Sequence, residues 1–306
     1  MSPLPPAPPV DESLYSIRDE EKEFFKLSTQ IDDDEELRKH VCQVQAEAYS
    51  LNQYPAYKHV LKLGKERPGA IYLEIGCAFG TDLRKLITDG YPRENVIASD
   101  IQNGIFIIYS LKASSLSDLA IVLEYYELGN KLFKTTPETC PFAFIPGDIF
   151  DSSVFDPQRR PEELSQVSES SFSLKSLTSL TPLHNRVSII HISSVFHLFS
   201  PEKQQKLAHI LASMLSPLPG SMILGKQLAT DSGIYEWDFG NDVGSAWSYS
   251  TLAWKELWTG ENGPFKTEEV DAQVLVEALP TEIGNAAVGR SNTPTIQFLI
   301  WSITRV

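Results

Sequence analysis

The sequence has little that would mark a secreted, membrane-spanning or metal-centred protein. Its three cysteines, Cys42, Cys77 and Cys140, are scattered without the spacing of metal ligands or of a disulfide framework. No apolar run approaches the roughly 18 residues of a membrane span. The proline-rich residues 1–10 lack the basic and apolar regions of a signal peptide. We therefore expect a reducing, cytoplasmic setting.

Basic residues are also scarce. The chain has 26 Lys and Arg against 40 Asp and Glu, which gives a net charge of −14. Such a chain has no electrostatic footprint for nucleic-acid phosphates. Its 306 residues, 42% of them hydrophobic, are enough for one large domain. We expect a small-molecule substrate, with no nucleic acid and no membrane as partner.

One stretch, residues 71–83, carries most of the functional information. An apolar run ends in Glu74-x-Gly76-x-x-x-Gly80, and an amphipathic turn follows. This order is typical of a buried parallel strand that leads into a helix around a nucleotide-like ligand. Glycines let the backbone approach the ligand closely. A buried Glu74 needs a polar or charged partner, and a ligand ammonium is one such partner.

Three interpretations of this loop stay open. A nicotinamide-binding loop requires G-x-G-x-x-G, whereas this loop has Ala78 at its centre and an acid before the first glycine. That acid would repel a pyrophosphate but suits the cationic amino-acid end of S-adenosylmethionine (SAM). An ordinary strand–turn–helix with chance glycines is the third.

Alternating strand and helix patterns run through the rest of the chain. Repeated strand–helix units that end in an antiparallel edge pair predict an α/β fold with a doubly wound, Rossmann-like sheet. The predicted strands are 70–75, 95–99, 143–146, 187–192, 221–228, 271–278 and 295–304, with helices starting near Asp33, Thr81, Ser200 and Ser250.

The predicted domain organisation has three parts. Residues 1–12 form a disordered tail, residues 13–68 an N-terminal helical lid or dimerisation element, and residues 69–306 the sheet domain. Two insertions interrupt the sheet domain. The first, 104–122, is mixed and partly apolar, and the second, 162–183, is serine-rich and predicts a flexible surface loop.

Acidic residues follow two further strands. Asp100 ends the second strand, where a carboxylate commonly accepts hydrogen bonds from ribose hydroxyls, of NAD as well as of SAM. Asp148 follows the third strand and would accept from an adenine amino group while Ile149 packs against the ring; the alternative is a turn aspartate. Together with Glu74 and Gly76, these acids mark the carboxyl ends of successive strands, which favours SAM.

The loop after the fourth strand, Ser193 to Phe199, offers one candidate base. It lacks the Asn/Asp-Pro-Pro-Tyr/Phe segment of methyltransferases that act on nucleic-acid amines, and it lacks acidic metal ligands, so we predict no metal. His197 would take a proton from a phenol, or else packs as a core histidine. The aromatic stretch 235–258 either walls a substrate pocket, with Trp247 and Tyr249, or packs as a helix around Trp254 and Trp258.

These segments together resemble the fungal secondary-metabolite methyltransferases of meroterpenoid pathways. The matching segments are Leu73–Gly80 with Asp82–Leu86, Ala98–Asp100, Gly147–Asp151, Ile192–Phe199 and Trp254–Trp258. The resemblance implies a class I SAM-dependent methyltransferase fold, SAM as methyl donor and a homodimer. Two departures are the intervening residues 101–123 and Tyr249 where relatives often have His.

We therefore predict a SAM-dependent O-methyltransferase that acts on a carboxyl or phenolic hydroxyl of a small polyketide or terpenoid. The alternatives are a nicotinamide-dependent oxidoreductase and a catalytically silent partner protein. The predicted cofactor residues are Glu74, Gly76, Cys77, Gly80, Asp100, Asp148, Ile149 and Ser193; the predicted substrate residues are Tyr49, Phe196, Trp247 and Tyr249; His197 is the predicted base.

Overall fold

A computed structural model describes most of the sheet domain and parts of the N-terminal block. The described residues are 19–29, 31–38, 54–101, 126–127, 129–136, 138–140, 142–159, 173–238, 245–278 and 297–306. The predicted tail, the insertion 104–122 and Tyr49 lie outside these ranges. No helix among the described residues is long and apolar enough to cross a membrane.

A seven-stranded mixed sheet forms the centre of the structure. Its order is β3-β2-β1-β4-β5-β9-β8, with β1 to β5 parallel and β9 antiparallel to both of its neighbours. The strands are β1 (Ile71–Ile75), β2 (Val96–Asp100), β3 (Ala143–Pro146), β4 (Val187–Ile192), β5 (Met222–Leu228), β8 (Val270–Ala278) and β9 (Gln297–Arg305). The predicted doubly wound sheet with an antiparallel edge pair is confirmed.

The strands form where the sequence places short apolar runs between turn residues. Every residue of β1 and of β4 is buried, which is the pattern of central parallel strands covered by helices on both faces. From β1 to β3 the chain adds strands on one side of β1, and it then adds β4 and β5 on the other side. The order of the strands therefore reverses at β1. Open α/β sheets bind ligands at the carboxyl ends of the strands next to such a reversal.

Among the described residues, five α-helices with both ends defined flank the sheet. They are α1 (Asp19–Thr29), α2 (Tyr57–Glu66), α3 (Thr81–Thr88), α4 (Pro201–Met214) and α5 (Thr251–Thr259). Ser200 and Ser250 cap α4 and α5 by accepting hydrogen bonds from the amides of Lys203 and Ala253, as the sequence predicts for a serine before an apolar helix.

The N-terminal block packs against the sheet domain. Phe25 of α1 stacks on the ring of Phe133, with centroids 5.9 Å apart. Residues 34–38 are also helical, and Leu37 is fully buried. On α2, Arg67 at the C-cap donates to Ser221 Oγ at 2.7 Å. These contacts fix the described helices to the core; their function as a lid stays a prediction.

Two parts of the fold differ from the sequence-based prediction. A two-stranded antiparallel sheet, β6 (Ile234–Asp238) and β7 (Ser245–Tyr249), follows β5 and was not predicted. The prediction of a surface loop is wrong for the end of the segment 162–183. Two short 3-10 turns, Leu174–Ser176 and Thr181–Leu183, form there, and Leu174, Leu180 and Leu183 join the core.

Candidate functional site

The loop after β1 has an unusual backbone. Gly76, Ala78 and Gly80 all have positive φ, of 75°, 44° and 67°. The amide of Gly76 donates to the carbonyl of Ser99 at 2.9 Å, and the amide of Ala78 donates to Asp100 Oδ2 at 2.7 Å. The loop is therefore tied to the end of β2 at two points.

The position of Gly76 also excludes a side chain. A Cβ atom at Gly76 would overlap Cγ2 of Val195 in the loop after β4. The structure thus brings the β1 loop, the end of β2 and the β4 loop together at one edge of the sheet. This is the edge where the sequence predicted a nucleotide-like ligand.

Asp100 is the acid that the structure ties most directly to this loop. Burial raises the pKa of Asp100 to about 6, against an opposite effect of the backbone amides of Ala78 and Ile101. The residue as a whole is half-buried. An ionised Asp100 is therefore a hydrogen-bond acceptor at neutral pH next to the left-handed loop.

Asp148 and Ile149 lie at the carboxyl end of β3, the neighbour of β2. Asp148 Oδ1 accepts a hydrogen bond of 2.9 Å from the amide of Phe150, the turn contact that the sequence left open as an alternative. Ile149 is buried in the core and Asp148 is half-buried. The predicted contact of Asp148 with an adenine amino group stays a prediction.

Glu74 lies beneath the loop. The residue is 5% exposed, and Oε1 lies 3.6 Å from Nδ1 of His191 on β4. Burial raises the pKa of Glu74 well above its ordinary value, and the nearby Asp100 raises it further. Burial lowers the pKa of His191. Both groups are thus driven toward their neutral forms.

Ser193 and Cys77 complete the predicted cofactor set. Ser193 Oγ lies 2.8 Å from the hydroxyl of Tyr54, which connects the β4 loop to the segment before α2. Cys77 is buried, and burial raises the pKa of its thiol well above the ordinary value. Cys77 is therefore a neutral packing residue at neutral pH.

His197 stands in a 3-10 turn after β4. It is 8% exposed, and burial lowers its pKa to about 4, against a smaller opposite effect of Gln227. Its Nδ1 has no hydrogen-bond partner among the described residues. The imidazole is therefore neutral at neutral pH, and its role as a base stays a prediction.

The aromatic stretch divides between the core and the hairpin. Phe196 has no exposed surface, and its ring contacts those of Trp254, Trp258 and Trp301, which is the environment of a packing residue. Tyr249 is also buried, next to Trp254. Trp247 keeps some exposed surface.

Gln227 connects the hairpin to the sheet. It has no exposed surface, and its Nε2 donates to the carbonyl of Trp247 at 3.1 Å.

Sequence reasoning missed Arg84, which holds the loop from the side of α3. Its Nη1 donates to the carbonyls of Phe79 (2.8 Å) and Gly80 (3.2 Å). Its Nη2 donates to Asn130 Oδ1 (2.9 Å) and Thr135 Oγ1 (3.1 Å). The guanidinium also lies over the rings of Phe133 and Phe142. An arginine on the buried face of an amphipathic helix was the signal.

The segment after the first insertion also packs on this loop. A side chain at Gly129 would collide with the carbonyl oxygen of Phe79. Arg84 and Gly129 thus join residues 129–135 to the loop after β1. The insertion 104–122 itself lies outside the described residues.

Comparison with known proteins finds a family model and fungal methyltransferases that are similar to this chain in sequence. Residues 10–61 match the family model described as the meroterpenoid methyltransferase N-terminal domain. The O-methyltransferase phiE of Fungal sp. (strain ATCC 74256) is 27% identical over 212 residues, which cover 68% of this chain and 54% of that protein. The Asnovolin E/Chermesin D methyltransferase nvfJ of Aspergillus novofumigatus is also 27% identical, over 68% of this chain and 58% of nvfJ.

The matches thus span little more than half the length of these two relatives. Among solved structures, the magnesium protoporphyrin IX methyltransferase of Synechocystis with bound SAM aligns over 93% of this chain and 91% of its own, at 10% identity and a TM-score of 0.41. The family model and the two fungal relatives confirm the sequence similarity to fungal meroterpenoid methyltransferases that the motifs predicted.

Proposed function

We propose that this chain is a SAM-dependent O-methyltransferase that acts on a carboxyl or phenolic hydroxyl of a small polyketide or terpenoid. One observation carries the proposal. The left-handed loop, Asp100 and Asp148 lie at the carboxyl ends of the adjacent parallel strands β1, β2 and β3, where open α/β sheets bind nucleotides. The methyltransferase names of the relatives favour methyl transfer over hydride transfer.

The described residues fit such a cofactor. Gly76, Cys77 and Gly80 would present backbone rather than side chain to it, since a Cβ at Gly76 or Gly80 has no room. Asp100 would accept hydrogen bonds from the ribose hydroxyls, and Ile149 would pack against the adenine beside Asp148. Ser193 would face the loop from β4, with Glu74 directly beneath.

SAM supplies a methyl group made electrophilic by the attached sulfonium. The acceptor oxygen would take this methyl group in exchange for the sulfur, with S-adenosylhomocysteine (SAH) as the second product. A carboxylate acceptor, with a pKa near 4, is already ionised and requires only alignment and desolvation. A phenol, with a pKa near 10, must lose a proton, which the neutral His197 would accept.

We also propose the surroundings of this site. Tyr49, Trp247 and Tyr249 would contribute to the substrate pocket, and residues 13–68 would cover it. Phe196, predicted as a fourth substrate residue, instead packs among the core tryptophans. The match of residues 10–61 to a family model of its own supports a distinct role for this block. We propose a homodimer in the cytoplasm.

Labelled methyl transfer to matched acceptors tests the proposal. We expect the full chain to transfer the methyl group of labelled SAM to a carboxylic acid or a phenol from an extract of the producing organism. With a phenol, His197→Ala should lower kcat by roughly 10²- to 10⁴-fold, because the proton acceptor is lost. With a carboxylate, the loss should stay under about tenfold.

His209→Ala is the matched control. His209 is exposed, and its Nε2 lies 2.9 Å from the carbonyl oxygen of Asn262. Loss of this side chain should change kcat with neither the phenol nor the carboxylate. Absence of methyl transfer to any acceptor, together with a thermal shift produced by NADH and not by SAM, would replace the proposal with the nicotinamide alternative.

A further inference from the structure

Three ionisable side chains lie close together near the loop after β1. Glu74 on β1, Asp82 in the first turn of α3 and His191 on β4 each offer one oxygen or nitrogen atom, and these atoms lie within 4.8 Å of one another. Glu74 and His191 are direct neighbours in the β1–β4 register. The three residues come from three elements, so only the folded sheet brings them together.

Several polar atoms of this cluster are buried and have no hydrogen-bond partner among the described residues. His191 has no exposed surface, and neither of its ring nitrogens has a hydrogen-bond partner among the described residues. The same holds for Oε2 of Glu74. Buried polar groups without partners are costly. A ligand that uses the lone pairs of both side chains would remove this cost.

We propose that Glu74, Asp82 and His191 bind a divalent first-row transition-metal ion. A donor set of one imidazole and two carboxylates suits Zn²⁺, Mn²⁺ or Fe²⁺, whereas Ca²⁺ and Mg²⁺ prefer oxygen ligands alone. Atoms that bind one ion at about 2.1 Å are at most about 4.2 Å apart, so small side-chain shifts complete the site. Two carboxylates also balance the charge of a divalent ion.

The closed position of the cluster favours an ion over an organic cation. A single atom fits between side chains that are themselves packed, whereas an ammonium carried on an alkyl chain must be reached from the cofactor cleft. Complete burial of His191 opposes such access. The ion would join β1, β4 and the start of α3, and it would give Glu74 a partner other than the cofactor's ammonium.

Calorimetric titration of the metal-free full chain with Zn²⁺ tests this proposal. We expect one tight site per chain. His191→Ala removes a ligand and should weaken binding by at least about 100-fold, more than the loss of an outer-shell partner. The matched control is His184→Ala, because His184 is also buried but contacts the carbonyl of Asp156 instead; it should retain the site.

A second variant separates loss of a ligand from loss of folding. His191→Cys keeps a metal-binding side chain, so Co²⁺ should bind it with a sulfur-to-metal charge-transfer band that the wild-type chain lacks. The proposal is overturned by the absence of a one-to-one site in the wild-type chain, by equal Zn²⁺ affinity in His191→Ala and His184→Ala, or by the absence of that band.

SAH titrations distinguish this proposal from the proposed function. If saturating SAH abolishes Zn²⁺ binding, the cluster serves the cofactor's ammonium and the metal proposal fails. If the metal-free chain does not bind SAH but Zn²⁺ still binds at His191, the proposed function fails and the metal site stands.

Discussion

Ala78 shows how a single residue can limit a sequence-based prediction. It replaces the glycine expected at the centre of the loop, yet its φ of 44° is left-handed, as a glycine's would be. A left-handed conformation costs a residue with a side chain roughly 1–2 kcal/mol. The loop therefore keeps its glycine-like path and holds some strain at Ala78. The sequence predicted the loop but not the conformation of this alanine.

We expect Ala78→Gly to preserve or slightly raise stability. Relief of the strain is partly offset by the backbone entropy of glycine, which leaves a gain of roughly 0–1 kcal/mol in the free energy of unfolding. Gly80→Ala should instead lose about 1–3 kcal/mol, because it adds the same strain and its Cβ would lie 2.7 Å from the Phe142 ring. Urea denaturation measures both, and equal losses in the two variants would contradict this account.

Asp100 leads to a prediction about pH. Its pKa is raised to about 6, so its carboxylate is mostly ionised at pH 7 and mostly protonated at pH 5.5. If ribose hydroxyls donate to the ionised form, the dissociation constant for SAH should increase by up to about fourfold between pH 7 and pH 5.5. Asp100→Asn should bind SAH more weakly and without this pH dependence; a pH dependence that persists in this variant would assign it to another group.

At the scale of elements, the sequence predicted the strands of the central sheet better than the elements around it. The apolar runs of β1, β2 and β4 are bounded by turn residues and have no competing pattern, so their ends were predicted to within one residue. The hairpin of β6 and β7 was missed because its aromatic side chains suggested a pocket wall. Alternation in Ile234–Asp238 and the Gly-Asn-Asp residues at 240–242 are hairpin signals.

Contacts between elements that are distant in sequence could not be predicted. Arg84 is separated from Asn130 by 46 positions, and nothing in the local pattern indicates that the two meet. The cluster of Glu74 and His191 depends on the β1–β4 register in the same way. Such contacts follow from tertiary packing, which single-segment periodicity does not encode.

The hydrogen bonds that Arg84 donates between elements can be tested by mutation. A lysine cannot donate at once to the carbonyls of Phe79 and Gly80 and to Asn130, because its ammonium lacks the planar fork of a guanidinium. Arg84→Lys should therefore raise the KM for SAM by about tenfold, the cost of roughly one net hydrogen bond, with little change in kcat at saturating SAM.

The matched control is Arg93→Lys. Arg93 is exposed, so its replacement should leave the KM for SAM unchanged. A fall in kcat without a change in KM for Arg84→Lys would show that these hydrogen bonds do not act through the loop after β1.

At the scale of the whole molecule, the acidic net charge and the position of the acidic residues both favour a small-molecule ligand. A net charge of −14 excludes an electrostatic footprint for nucleic acid, while the carboxyl ends of β1, β2 and β3 lie at one edge of the sheet. The loop is fixed on several sides, by Asp100, by Val195 and by Arg84. A ligand at this edge would therefore meet a preorganised backbone.

Calorimetric titration of the full chain with SAH tests the central claim most directly. The account predicts one-to-one binding that Asp100→Ala weakens by at least about tenfold, since a charged acceptor of two hydroxyls contributes at least 1.4 kcal/mol, while NADH produces no heat of binding. Absence of SAH binding to the folded chain, or tighter binding of NADH than of SAH, would contradict it.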